Sequence, residues 1–273
     1  FAGKCGDRPC PPAYIAEQTA RYNLDDPLVL QYIKYMGNLL TGDLGETFRG
    51  TQVLDELAVA LPATLKLTAL AIVIEIIIGI GAGVLAGLRR GSFIDNLVLL
   101  STLVVISIPI FVIGYLAQFI LGVQLGWFPP TVGTGAPWSD LILPAFVLAS
   151  VSLAYVARLT RTQLAENMRA DYVRTATAKG LPRRQVVRHA LRNSLIPVVT
   201  FIGIDFGALM GGAVVTEGIF NITGIGGLVF GAIATREGAT VTAAITFIVI
   251  VFLLVNLLVD LLYGVLDPRI RYE

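Results

Sequence analysis

Residues Leu61 to Leu88 read LPATLKLTALAIVIEIIIGIGAGVLAGL, 28 consecutive positions in which Lys66 and Glu75 are the only charges. A helix needs about 20 apolar residues to cross roughly 30 Å of hydrocarbon, so this stretch is long enough to span a bilayer. Four further runs lie outward from it. Leu97 to Val123 and Leu141 to Ala157 carry no charge, Leu195 to Thr216 carries only Asp205, and Ala239 to Leu266 only Asp260. Glycines and prolines inside these runs, among them Gly79, Gly83, Pro109, Pro144 and Gly207, are common in spanning helices, where neighbouring helices re-satisfy the freed backbone groups. The pattern predicts an all-α, polytopic helical membrane protein with five spans.

Composition agrees. The chain has 273 residues, 55% hydrophobic and 14% charged, against about 25% charged in ordinary globular domains. Its 20 Lys+Arg nearly cancel 19 Asp+Glu, so it lacks the basic excess of a nucleic-acid binder. One histidine and two cysteines are too few for a His or Cys metal site, which needs three or four ligands. No bound cofactor is expected.

Orientation follows from the position of the basic residues. Nine lie between Arg158 and Arg192; with Arg89, Arg90, Arg269 and Arg271 they put 13 on one side, against seven on the other. The positive-inside rule then makes the 158–195 loop and the 267–273 tail cytoplasmic and residues 1–60 extracytoplasmic, with 61–266 as the membrane region. An external start, and Phe1 in place of an initiator Met, lead us to expect an upstream first span or a cleaved signal peptide. Cys5 and Cys10 fall in the compartment where disulfides persist. They form either a bridge or two free thiols.

The basic loop is the most informative segment. Asp171-Tyr172-Val173-Arg174-Thr175-Ala176-Thr177-Ala178-Lys179-Gly180-Leu181-Pro182 reads as a short helix, with Asp171 able to cap its start and Gly180 and Pro182 able to stop it. Thr175, Ala176, Thr177 and Ala178 are small enough to approach another protein's groove closely, with Arg174 and Lys179 supplying charge at the margin. Read by periodicity alone, it is equally an ordinary basic, partly helical loop between spans.

Motif order along the chain narrows this. Arg174-Thr175-Ala176-x-x-x-Gly180, followed by His189-Ala190-Leu191-Arg192-Asn193-Ser194-Leu195-Ile196-Pro197, resembles the cytoplasmic "EAA" loop of ABC importer permeases. It is most similar to that of the B-type dipeptide/oligopeptide subunits. The resemblance runs from about Tyr22 and takes in Leu24-Asp25-Asp26-Pro27-Leu28, Gly42-Asp43-Leu44-Gly45, Leu61-Pro62-Ala63-Thr64-Leu65, Glu217-Gly218-Ile219-Phe220-Asn221 with Gly224-Ile225-Gly226, and Leu266-Asp267-Pro268-Arg269. It departs at Arg174, which stands at the motif's glutamate, at Thr223, and at Arg236-Glu237-Gly238. The resemblance implies a type I ABC importer transmembrane domain in the bacterial plasma membrane. It would form half of a heterodimeric passage for di- or oligopeptides with a C-type permease subunit, two ATPase subunits that bind ATP and Mg, and an external substrate-binding protein. The helix bearing Asp171, Arg174, Thr175, Ala176, Ala178, Lys179 and Gly180 would couple to one ATPase. The chain has no G-x-x-x-x-G-K-[ST] stretch of its own, so it is expected to be no enzyme.

Ionisable residues inside spans cost at least about 2.5–3.5 kcal/mol on insertion scales and should face protein or water. Glu75 and Asp205 are candidates either to line the pathway or to pack between helices, with Gly203, Gly207, Gly211 and Gly212 offering a small-residue face toward a partner subunit. Asp260 is expected to pair locally near Asp267-Pro268-Arg269. Trp127 and Trp138 look like outer-leaflet anchors. The glycine-rich 218–231 stretch reads as an irregular external segment and His189 as a solvated or interface residue. A secondary transporter or channel driven by an ion gradient through Glu75, Asp205 and Asp260 is the alternative, but no inverted repeat supports it. A membrane hydrolase would need a Gly-x-Ser-x-Gly elbow or a placed histidine, and has neither.

Overall fold

The computed structural model describes Cys5 and residues 9–133 and 135–266, with side chains described only in part beyond 258. Two helices, α1 (Pro12–Arg21) and α2 (Leu28–Leu40), precede a long helix α3 (Val53–Leu88). Then come α4 (Phe93–Ser107), α5 (Ile110–Gln124), α6 (Ile142–Asn167), the short α7 (Asp171–Ala178), α8 (Arg183–Phe220), the short α9 (Ile225–Ala234) and α10 (Gly238–Leu266). Cys5 and Cys10 are disulfide-bonded, with Cα atoms 5.4 Å apart.

Four helices, α3, α6, α8 and α10, are long and apolar enough to cross a membrane. The expected span Leu97–Val123 is not one rod: α4 and α5 meet at 102°, so it makes a fifth crossing only as a broken pair. Pro109 supplies the break. It has no N–H to donate and disfavours helical geometry in the residue before it, and Ile108 is accordingly extended (φ −101°, ψ 128°). Pro62 and Pro197, by contrast, remain inside continuous helices. The helices also outrun the apolar runs: α3 starts at Val53, α6 continues past Arg161 to Asn167, and α8 begins at Arg183. Of the 158–195 region only residues 168–182 therefore connect the two long helices.

α6 is the central element, and 61% of its most apolar stretch is buried. α3 approaches it on a Gly79–Gly83–Gly87 stripe. A Cβ on Gly83 would fall 2.6 Å from the Ala157 carbonyl oxygen, and one on Gly87 3.1 Å from that of Arg161. Only glycine allows this backbone contact, the small-residue packing typical of spanning helices. The main core joins Leu67 and Ala71 of α3, Leu141 just before α6 with Leu143, Ala145, Val147, Leu148 and Ala149 of α6, and Leu209, Ala213 and Phe220 of α8. Asn221, in the left-handed region (φ 51°), ends α8.

The N-terminal segment docks on this bundle. Leu44, Val53 and Leu57 pack with Ile225 and Val229 of α9 and Ala243, Ala244 and Ile248 of α10. The Tyr35 and Thr246 hydroxyls lie 3.2 Å apart, and Arg21 pairs with Glu46 at 2.6 Å. That ion pair holds the Glu46 carboxyl below its ordinary value.

Candidate functional site

α7 is built by local signals at its C-terminal end and by packing beneath it. The Gly180 N–H donates to Thr177 O (3.0 Å) and the Leu181 N–H to Ala176 O (3.2 Å), the paired bonds of a Schellman stop. This stop requires the left-handed φ of +77° at Gly180. Asp171 does not cap the start. Ala170 holds that place, and the Asp171 carboxylate instead lies 3.5 Å from Arg174, both side chains being exposed.

Below α7, Val173 is buried in a small cluster with Leu164 of α6 and Val186 and Ala190 of α8, and Ala176 and Leu181 pack against it. Ala176 is therefore turned inward rather than presented outward, because it lies one helical turn after Val173 on the same face. Arg174, Thr175, Ala178, Lys179 and Gly180 are exposed. Thr175 and Thr177 donate their hydroxyls back to Asp171 O and Val173 O, both at 2.9 Å. The outer face is consequently small, with its hydroxyl donors already used, and edged by Arg174 and Lys179. It can seat in a groove at little desolvation cost.

In mid-bundle, Glu75 opens a π-helical turn of α3 (Glu75–Ile80) and is fully buried. Such turns recur at functional sites. Glu75 lies beside Asp205 of α8, which is also approached by Ser152 of α6. Neither Glu75 oxygen nor Asp205 Oδ2 completes a hydrogen bond of ordinary geometry among the described residues. Full burial leaves Glu75 between helices, whereas Asp205 is only half-buried. The glycine face divides similarly: a Cβ on Gly207 would meet Phe252 of α10 within this chain, and Gly211 faces open space. The Asp260 side chain and residues 267–269, with which it was expected to pair, lie outside the described residues.

Residues 79–272 match the family model for the binding-protein-dependent transport system inner membrane component. The chain belongs to this family. A dipeptide transport system permease of Alkalihalophilus pseudofirmus is 38% identical over 96% of the chain and 87% of its own length. A di/tripeptide transport system permease of Pseudomonas aeruginosa is 41% identical (98% and 88%), and an oligopeptide transport system permease of Salmonella typhimurium 36% (98% and 88%). The chain is thus a multi-pass membrane permease of the ABC importer type.

Two ionic features of this permease escaped the reading of its apolar runs. Arg161 Nε and Nη2 each donate to one oxygen of Asp95 at 2.8 Å, and the Gly91 N–H donates to the same carboxylate at 2.8 Å. This bidentate pair fastens α4 to α6. Glu217, completely buried near the end of α8, accepts from Thr64 Oγ1 (2.7 Å) and the Gly227 N–H (3.0 Å), while Thr64 Oγ1 accepts from the Ile225 N–H (2.9 Å). A carboxylate at the start of α9 meets its orphan N–H groups and the positive end of its dipole. The signal was a Glu just beyond an apolar run, with glycines seven and nine residues later.

Proposed function

We propose that this chain is one permease subunit of an ATP-driven importer of di- or oligopeptides, that it provides half of the passage, and that α7 seats in a cytoplasmic ATPase. A second permease subunit, two ATPase subunits and an external substrate-binding protein complete the assembly, and ATP and Mg bind on the ATPases. The chain performs no catalysis itself. Residues 1–60 lie outside the bacterial plasma membrane, and the 168–182 connection and the 267–273 tail lie in the cytoplasm. The family match supports the class, and the substrates named for the relatives support peptides.

One observation carries the coupling assignment. α7 presents a small face between Arg174 and Lys179 while Val173, Ala176 and Leu181 pin it to the ends of α6 and α8, so a push on α7 reaches both helices as a rigid-body displacement. Ala178→Trp should abolish ATPase co-purification and peptide uptake while the permease still inserts and pairs. Intact ATPase binding and uptake in that variant would remove α7 from the interface.

A further inference from the structure

α9 has a buried glutamate at each end: the Glu217 carboxylate bonds the start of the helix itself, while Glu237 reaches its end through the backbone N–H and turns its carboxylate to Thr240 and Phe48. At its entrance, Glu217 takes the Gly227 N–H and the Thr64 hydroxyl, and Thr64 takes the Ile225 N–H. This joins α8, α3 and α9. At its exit, Glu237 is 9% exposed and its N–H donates to Ala232 O at 2.8 Å. Glu237 Oε1 accepts from Thr240 Oγ1 at 2.8 Å and from the Phe48 N–H. Phe48 sits in the short loop closed by the Glu46–Gln52 bridge and the Thr47 N–H to Thr51 O bond. Beneath it, Leu44, Val53 and Leu57 share one apolar cluster with Ile225 and Val229.

Glycines make these contacts possible. A Cβ on Gly224 would collide with the Glu217 carboxylate, and one on Gly226 with the Val214 backbone. The sequence thus gives up side chains at the start of α9 to bring its backbone against a buried charge.

We infer that Glu217 and Glu237 are positioning residues that make α9 the mechanical connection between the external segment and the spanning helices α3 and α8. Through it, engagement of the external binding protein is felt by the bundle and hence by α7. The inference rests on the importer reading above. Glu237 uses one oxygen for both of its acceptor bonds; Glu217 uses both oxygens, one for each donor. Glutamine keeps one strong acceptor, so Glu237→Gln should preserve the fastening and Glu217→Gln should break half of it. Losing a buried bond to a charged group corresponds to about a tenfold to hundredfold change in the fastened-to-released ratio.

The test uses the complete complex in nanodiscs, with ATPase turnover measured without and with the cognate binding protein, and amide exchange followed across 44–52 and 225–234. Glu237→Ala should leave basal turnover as in wild type, cut stimulation by the binding protein about tenfold, and raise exchange in both segments. Glu237→Gln should restore both readouts, and Glu217→Gln should not. Unchanged exchange or undiminished stimulation in Glu237→Ala, or identical behaviour of the two Gln variants, would overturn the inference. Amide exchange reports the fastening even if the wild-type complex showed no ATP-driven uptake, so the two readings fail separately.

Discussion

Replacing Gly83 by alanine adds one methyl group at the closest point between α3 and α6. That Cβ would lie 2.5 Å from Thr160 Cβ, 2.6 Å from Ala157 O and 3.0 Å from Thr160 Cγ2. Thr160 is fully buried, and the Ala157 oxygen is backbone, so neither neighbour can swing away. Restoring ordinary contact, 3.4 Å or more, requires the helices to part by about 0.9 Å, and a gap of 0.5–1 Å forfeits a quarter to a half of each dispersion contact along the seam. Overpacking of this kind costs about 1–3 kcal/mol, offset by about 1 kcal/mol of improved helix propensity. A Cβ on Gly81, two residues away, meets nothing within 4 Å, so Gly81→Ala keeps only the gain. Thermal unfolding of the detergent-solubilised complex should therefore separate them, with Gly83→Ala melting several degrees below wild type and Gly81→Ala at or above it. Equal midpoints for the two variants would refute the close approach of α3 and α6.

Arg161→Ala would leave the Asp95 carboxylate, whose side chain is 2% exposed, with the Gly91 N–H as its remaining hydrogen-bond donor among the described residues. Breaking one partner of a buried pair costs about 3–5 kcal/mol, and Arg161→Lys should recover little because an ammonium cannot make the bidentate contact; chemical unfolding with a double-mutant cycle reads both. Gly180→Ala forces a Cβ into left-handed geometry and should weaken α7 by about 1 kcal/mol, seen as faster amide exchange at Leu181 and weaker ATPase retention. Because Arg21 lowers the Glu46 carboxyl in the folded chain, their pair stabilises the N-terminal segment above the ordinary carboxylate value of 4.5 and releases it as pH falls through the lowered value. Proteolysis of residues 9–52 should accelerate on acidification below 4.5 in wild type and be flatter with pH in Glu46→Gln.

The spans were legible because a bilayer imposes a length and a polarity that single runs such as Ala239 to Leu266 reveal. α7 was legible for a different reason: Gly180 and Pro182 act within one turn of the helix they end. What the chain did not disclose is pairwise and distant. Asp95 and Arg161 are 66 residues apart, and Thr64 and Glu217 are 153 apart. Nothing local marks either as a partner. The inward turn of Ala176 was not legible, because composition alone cannot orient an eight-residue helix; it depends on Leu164, Val186 and Ala190 arriving from two other helices. Pro109 shows the same limit, since identical chemistry at Pro62 and Pro197 leaves a helix unbroken.

α8 runs without interruption through 38 residues, which at 1.5 Å per residue makes a rod about 57 Å long. α7 is attached beside one extremity and Glu217 sits at the other. Rotating such a rod by only about 5° sweeps its far tip through roughly 5 Å, comparable to the width of a peptide backbone with its hydration removed. Under the proposed coupling, a rotation imposed beside α7 is carried to the far end of α8 by leverage alone, because the helix is continuous between the two.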